Sequence, residues 1–139
     1  MKRVYVTFLT PADDEKNTYL VEVPDLNILT EGYGLENAIS MARDAIGLAG
    51  ITKQDQGANI PEPTGIKDID VSQSTFSDVG EPIVTLVDID FDEYRRKVDN
   101  KCVRRNITFP NWLNRAADEA HINVSRIAQE AIKAKLNLV

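Results

Sequence analysis

Cysteine, histidine and long apolar runs are almost missing from this sequence, and each scarcity removes a class of protein. The one cysteine, Cys102, has no second thiol to bridge, so no disulfide framework is expected and a reducing cytoplasm is the expected compartment. The one histidine, His121, has no second His or Cys beside it, which argues against a transition-metal centre. No apolar run approaches the roughly 18 residues that a membrane span needs. The opening Met1-Lys2-Arg3 and the residues after it lack the apolar core and small-residue cleavage site of a signal peptide. Gly-rich phosphate loops, a nucleophile elbow and Cys-x-x-Cys pairs are absent too. No cofactor and no metal are expected.

What is present is ordinary globular material: 139 residues, 42% hydrophobic and 27% charged, enough for one domain or two small ones. The net charge of −6 argues at first against a nucleic-acid partner. That average hides a division. Residues 1–99 hold nine Lys and Arg against 19 Asp and Glu, net −10, while residues 100–139 hold seven against three, net +4. Such asymmetry is a hint of two separate jobs.

Val4, Val6 and Phe8 alternate with Tyr5, Thr7 and Leu9, which predicts a strand with at least one buried face. A polar turn from Pro11 to Asn17 and a second period-two run, Tyr19–Val23, ending at Pro24, complete a hairpin. A short strand around Ile28–Glu31 follows, then Gly32 and Gly34. Leu35, Ala38, Ile39, Ala42, Ile46 and Ala49 form one helical stripe, with Gly50 as its expected stop. Residues 51–82 hold three of the six prolines and three of the seven glycines without a sustained period, so a long connection with at most fragments of structure is expected there. Ile83–Ile89 reads as a strand buried on both faces. An acidic exit (Asp88, Asp90, Asp92, Glu93) leads into a linker over 94–102. The resulting organisation is α+β: a domain over 1–93, the linker, and a basic domain over 103–139.

In the basic tail Val103, Ile107 and Phe109 alternate with Arg104, Asn106 and Thr108, and Pro110 ends that run. Leu113, Ala116, Ala117 and Ala120 then give the stripe of one helix; Asn123 caps a second, carrying Val124, Ile127, Ala128, Ala131 and Ile132. A lone strand leaves its backbone groups without partners. The same strand from a second copy would satisfy them by antiparallel pairing about a two-fold axis. The core of that dimer would take Val103, Ile107, Phe109, Leu113, Ile127 and Ala131, with Trp112 in the core or at the interface. The other face would present Arg104, Asn106 and Thr108 twice, side chains suited to guanine, adenine and thymine edges in a major groove wide enough for a two-stranded ribbon. Val124 and Ser125, at a helix N-terminus, suit a phosphate, and Lys101 adds charge beside the strand.

The segments Val-Arg-Arg-Asn-Ile-Thr-Phe-Pro (103–110), Asn-Trp-Leu-Asn-Arg-Ala-Ala-Asp-Glu-Ala (111–120) and Ile-Asn-Val-Ser-Arg-Ile-Ala-Gln-Glu-Ala (122–131) resemble a ribbon-helix-helix DNA-binding domain. Val-Pro-Asp-Leu (23–26), Thr-Glu-Gly-Tyr-Gly-Leu-Glu-Asn-Ala (30–38) and Ala-Arg-Asp-Ala-Ile (42–46) are similar to the partial RNase H-like domain of HicB antitoxins. The resemblance implies an N-terminal domain that masks a small HicA toxin, an mRNA-cleaving ribonuclease with a catalytic histidine. It also implies a C-terminal domain that dimerises and represses the operon of the pair by binding operator double-stranded DNA. It places the strand readers on Arg104, Asn106 and Thr108 and the phosphate grip on Val124 and Ser125. Two positions depart from the pattern: Arg105 stands at an inward strand position, and His121 stands where a helix-ending Gly is usual, so either the turn differs or His121 is left-handed.

An acidic first domain suits a basic, RNA-directed partner, and Asp13, Asp14, Glu22, Asp25 and Glu31, on or beside exposed elements of the early sheet, are the candidates to meet it. Spacing singles out no convergent carboxylate set of the kind a two-metal nuclease requires, so no enzymatic activity is expected. A regulator whose first domain senses a small ligand is the alternative, and pairing of the first domains as well would build a tetramer.

Overall fold

The computed structural model describes residues 1–138; Val139, the last residue of the expected basic domain, lies outside them. The chain divides into two compact units, Met1–Lys101 and Cys102–Val139.

The first unit is built on four strands, β1 (Lys2–Pro11), β2 (Thr18–Val23), β3 (Ile28–Tyr33) and β4 (Ile83–Asp90), in the order β3-β2-β1-β4 with every pair antiparallel. The predicted hairpin is β1–β2, with Phe8 opposite Glu22 and Leu9 opposite Val21. Its turn is held by Asp14, whose carboxylate accepts the Thr18 N–H at 2.9 Å and the Thr18 hydroxyl at 2.7 Å, while Asp13 and Asn17 take positive φ. Short polar side chains tolerate that region best. Both faces of β1 are buried from Tyr5 to Thr10. One face packs on helix α1 (Leu35–Asp55): Tyr5, Leu9, Val21, Val23, Val87 and Ile89 meet Ala38, Ala42 and Ile46 in a single core. Gly32 is required where α1 crosses β3, because a Cβ there would sit 2.5 Å from the Ala38 Cα.

Three expectations are corrected. Helix α1 does not stop at Gly50 but runs to Asp55. Gly47 and Gly50 instead form a notch for helix α2 (Phe91–Val98), where Cβ atoms would lie 2.5 Å from the Tyr94 ring and 2.1 Å from the Phe91 ring. Strand β4 is not buried on both faces: among the described residues it pairs with β1 alone and forms a sheet edge, with only Val87 and Ile89 of the strand buried. The sequence from Tyr94 is not yet linker, because α2 packs into that notch and continues to Val98. Asp90 caps α2 by accepting the Asp92 and Glu93 N–H groups, at 3.1 and 3.2 Å.

The connection over 56–82 has one short 3-10 turn, Val71–Gln73, yet it is tied down. Arg3 donates to the carbonyls of Ile60 and Pro61, and the Tyr5 hydroxyl donates to the Pro61 carbonyl at 2.7 Å. Asp25 accepts the N–H and hydroxyl of Thr64 at 2.8 and 2.6 Å; Glu22 accepts those of Thr75 at 2.9 and 2.6 Å. Glu22 shares a sheet face with Phe8, so this last tie carries the connection onto the face opposite α1.

The second unit holds helices α3 (Asn111–Glu119) and α4 (Val124–Lys135) after an irregular segment, Cys102–Pro110. None of its described residues is buried.

Candidate nucleic-acid and partner interfaces

The strand expected over Val103–Phe109 does not form within one chain. Its residues are irregular and exposed, because no other described segment of this unit offers a ladder of donors and acceptors. Val103 is 83% exposed, Ile107 52% and Phe109 37%, values far above those of core residues. Ile107, Phe109, Leu113 and Ile127 nevertheless converge, lining one groove with Ala117, Ile122, Val124 and Ala128 and with no polar side chain among them. Two of the six expected dimer-core residues, Val103 and Ala131, lie outside that lining, and Trp112 stands 72% exposed outside it too. Ile122 was not foreseen as part of the surface. It sits between the helices, off both helical stripes, so periodicity offered no signal for it.

Arg104, Asn106 and Thr108 are exposed, as is Lys101. At the start of α4 the Asn123 side chain accepts the Arg126 N–H at 3.1 Å. The amides of Val124 and Ser125 have no acceptor among the described residues, so they face outward with the positive end of the helix dipole behind them. The Val124 side chain turns into the apolar groove, which leaves only its backbone for an anion. His121 is left-handed, with φ 52°, and its N–H bonds the Asp118 carbonyl at 3.1 Å. The turn thus keeps the geometry in which glycine is usual, at a strain of roughly 1 kcal/mol.

In the first unit the five candidate carboxylates separate into two groups. Glu22 is only 9% exposed and spends both oxygens on Thr75, which corrects the expectation that it faces outward. Asp25 is engaged by Thr64, and Asp14 by Thr18 and the Lys16 N–H. The Thr18 amide and then its hydroxyl hold the Asp14 carboxyl below the usual carboxylate range. Asp13 and Glu31 are exposed and have no such partner among the described residues.

A cleft of about 740 Å³ lies between the first residues of β1, the end of β4 and helices α1 and α2. Part of its charge is paired within the fold: Arg43 pairs with Asp88 at 3.0 Å, and the Tyr94 hydroxyl donates to Asp44 at 2.9 Å. Burial, together with that bond and the negative charge of Asp44, pushes the Tyr94 hydroxyl up to about 12. Among the described residues no group of three or more His, Cys, Asp or Glu side chains could hold a metal ion, and no helix is long and apolar enough to cross a membrane.

A family model described as HicB-like antitoxin of bacterial toxin-antitoxin system matches residues 5–136. Among solved structures, a toxin-antitoxin complex from Streptococcus pneumoniae contains a similar chain, with TM-score 0.62, 21% identity, and coverage of 97% of this chain and 99% of that one. The antitoxin HicB of Burkholderia pseudomallei is similar at TM-score 0.50 and 19% identity, with 96% of each chain covered. At these identities the likeness is one of fold. No curated protein sequence matches the chain.

Proposed function

This chain belongs to the HicB-like antitoxin family of bacterial toxin-antitoxin systems, and from that premise we propose a division of labour between its two units. The first unit, a partial RNase H-like fold, binds and neutralises a HicA-type mRNA-cleaving toxin. The second pairs with its copy as a ribbon-helix-helix dimer and binds operator DNA to repress the operon. Neither unit is an enzyme.

The observation that carries the second half is the state of Cys102–Leu138. It exposes Val103, Ile107, Phe109, Ile122 and Ile127, has no buried residue, and gathers eight apolar side chains into one groove. A unit this small cannot bury enough surface alone. Pairing of the 103–109 segments would supply the missing ladder and cover the groove, leaving Arg104, Asn106 and Thr108 outward on a ribbon. The free amides of Val124 and Ser125 would then anchor it on phosphates. The net charge of +4 per chain over residues 100–139 supports DNA as the partner of this unit.

The first half rests on the net −10 of residues 1–99 and on family membership. Carboxylates imitate the phosphates that an RNA-directed toxin is built to hold. Asp13 and Glu31 remain free for that role, whereas Asp14, Glu22 and Asp25 support it by fixing the turn and the connection.

Co-expression with the product of the neighbouring reading frame tests the proposal. A small basic protein is expected to co-purify, and the pair to shift operator DNA. Removal of residues 102–139 is expected to abolish the DNA shift while toxin capture persists. Loss of toxin capture with that truncation would refute the division.

A further inference from the structure

We infer that the open edge of β3 is a docking edge, taken by an extended strand of the toxin that carries basic side chains. The inference rests on the toxin-binding reading above and adds where and how the contact is made.

Strand β3 lies at one end of the sheet, and no strand pairs with its outer side among the described residues. Backbone alternation decides which of its groups face outward. The Gly34 N–H donates to the Asn17 carbonyl at 2.8 Å, continuing the ladder with the β2 side, so Gly32 and Thr30 also point inward. The residues between them, Leu29, Glu31 and Tyr33, therefore point their N–H and C=O groups away from β2. The Tyr33 N–H agrees, being taken by the Asn37 side chain at 2.8 Å. The backbone groups of Leu29 and Glu31 are left as an open template.

Exposed edges are normally blunted by proline, lysine, a bulge or a covering side chain. Ile28–Tyr33 contains no proline or lysine, and its register with β2 is unbroken. The opposite edge is guarded: Arg43 reaches across and donates to the Asp88 carbonyl of β4 at 3.0 Å. Leu29, Glu31 and Tyr33 also share one face of β3, with Leu29 56% and Tyr33 54% exposed on either side of the Glu31 carboxylate. This is the pattern of a strand-addition site, in which main-chain bonds give affinity and alternate side chains give selectivity.

Charge selects the occupant. Between residues 12 and 42, the stretch that holds β2, β3 and the start of α1, there are seven carboxylates and one lysine. A second copy docking β3 against β3 about a two-fold axis would set the two Glu31 side chains opposite or diagonal to one another on one face, depending on register, and like charges so placed are unfavourable. A strand bearing Lys or Arg is attracted instead.

Amide hydrogen exchange on the full chain, alone and with the neighbouring frame's product carrying an inactivating substitution of its catalytic histidine, reads the edge directly. The Leu29 and Glu31 amides should exchange freely in the chain alone and slow at least tenfold in the complex. A complex that leaves both unprotected would overturn the edge assignment while sparing the toxin-binding reading; no complex at all would overturn both. Protection in the chain alone, rising with its concentration, would make a second copy the occupant and also overturn the inference. Leu29→Pro removes an N–H that no internal bond uses, at the kind of edge position proline tolerates. It should weaken toxin binding at least tenfold beyond Leu29→Ala. Equal affinities of the two variants would count against main-chain pairing.

Discussion

Gly50→Ala puts the packing of α1 and α2 to a quantitative test. In an exposed mid-helix position, glycine to alanine stabilises by about 1 kcal/mol through helix propensity alone. At Gly50 the new methyl carbon would lie 2.1 Å from Phe91 Cε1, 2.5 Å from Cδ1 and 2.9 Å from Cζ. Phe91 is 0% exposed, so the ring has no solvent-filled space into which to retreat. Overpacking of that kind costs about 1–3 kcal/mol, and a ring driven wholly out of the core approaches the roughly 3–5 kcal/mol of a Phe-to-Ala truncation. After the propensity gain is subtracted, a net destabilisation of about 0–2 kcal/mol is expected if the ring shifts, and of roughly 2–4 kcal/mol if it is expelled. Urea unfolding followed by circular dichroism measures it, with Thr52→Ala, at an exposed position on the same helix, as the control that reports propensity without the clash. In a Phe91→Leu background the Gly50→Ala penalty should shrink by at least about 1 kcal/mol, because the two sites touch and their effects couple. A Gly50→Ala chain more stable than wild type would refute the reasoning and mean that α2 does not sit in the notch.

The acid response has a definite sign. Asp14, Asp70 and Asp90 are held below the usual carboxylate range, chiefly by the Thr18 amide, the Ser72 hydroxyl and the Glu93 amide respectively. Folded values below the unfolded ones contribute stability that is present above about pH 4 and lost as pH falls further. Urea midpoints should therefore drop between pH 5 and pH 3, less steeply in Asp90→Asn, and a flat profile would contradict the capping roles. For the second unit, Asn106→Ala should cost about 1–3 kcal/mol and relax preference at one base pair per half-site; a uniform loss on all sequences in a binding titration would make it a backbone contact. His121→Gly should raise stability by up to about 1 kcal/mol by relieving the left-handed backbone, read as a higher melting temperature.

The elements of the first unit were legible because each carried its own period. The alternation of Val4–Leu9, the proline stop at Pro24 and the stripe from Ala38 to Ile46 are local signals, and each lies where the residues put it. What was illegible depended on partners far along the chain. Gly50 looked like a helix stop because nothing local says that Phe91 will need its space. Ile83–Ile89 looked central because an apolar run does not say whether one neighbour strand is present or two. Glu22 looked like a surface charge until Thr75, from a stretch without any period, supplied both donors for its carboxylate.

The second unit inverts that relation. Its sequence describes an amphipathic strand and two amphipathic helices, and a single chain realises only the helices. The segment 103–110 stays irregular although Val103, Ile107 and Phe109 keep the alternation of a strand. A strand's backbone bonds come from a neighbour, whereas a helix makes its own. The apolar groove of Ile107, Phe109, Leu113 and Ile127 shows the same incompleteness at the level of side chains. Dimerisation and DNA reading are therefore coupled in the proposal: Arg104, Asn106 and Thr108 acquire a common face only when the segment becomes a strand, and it becomes a strand only when a second copy pairs with it. Replacing Ile127, whose side chain lies in the groove, by Asp should abolish dimerisation and operator binding together, although residue 127 would touch no DNA. A monomeric variant that retained operator affinity would break the coupling and with it the ribbon reading.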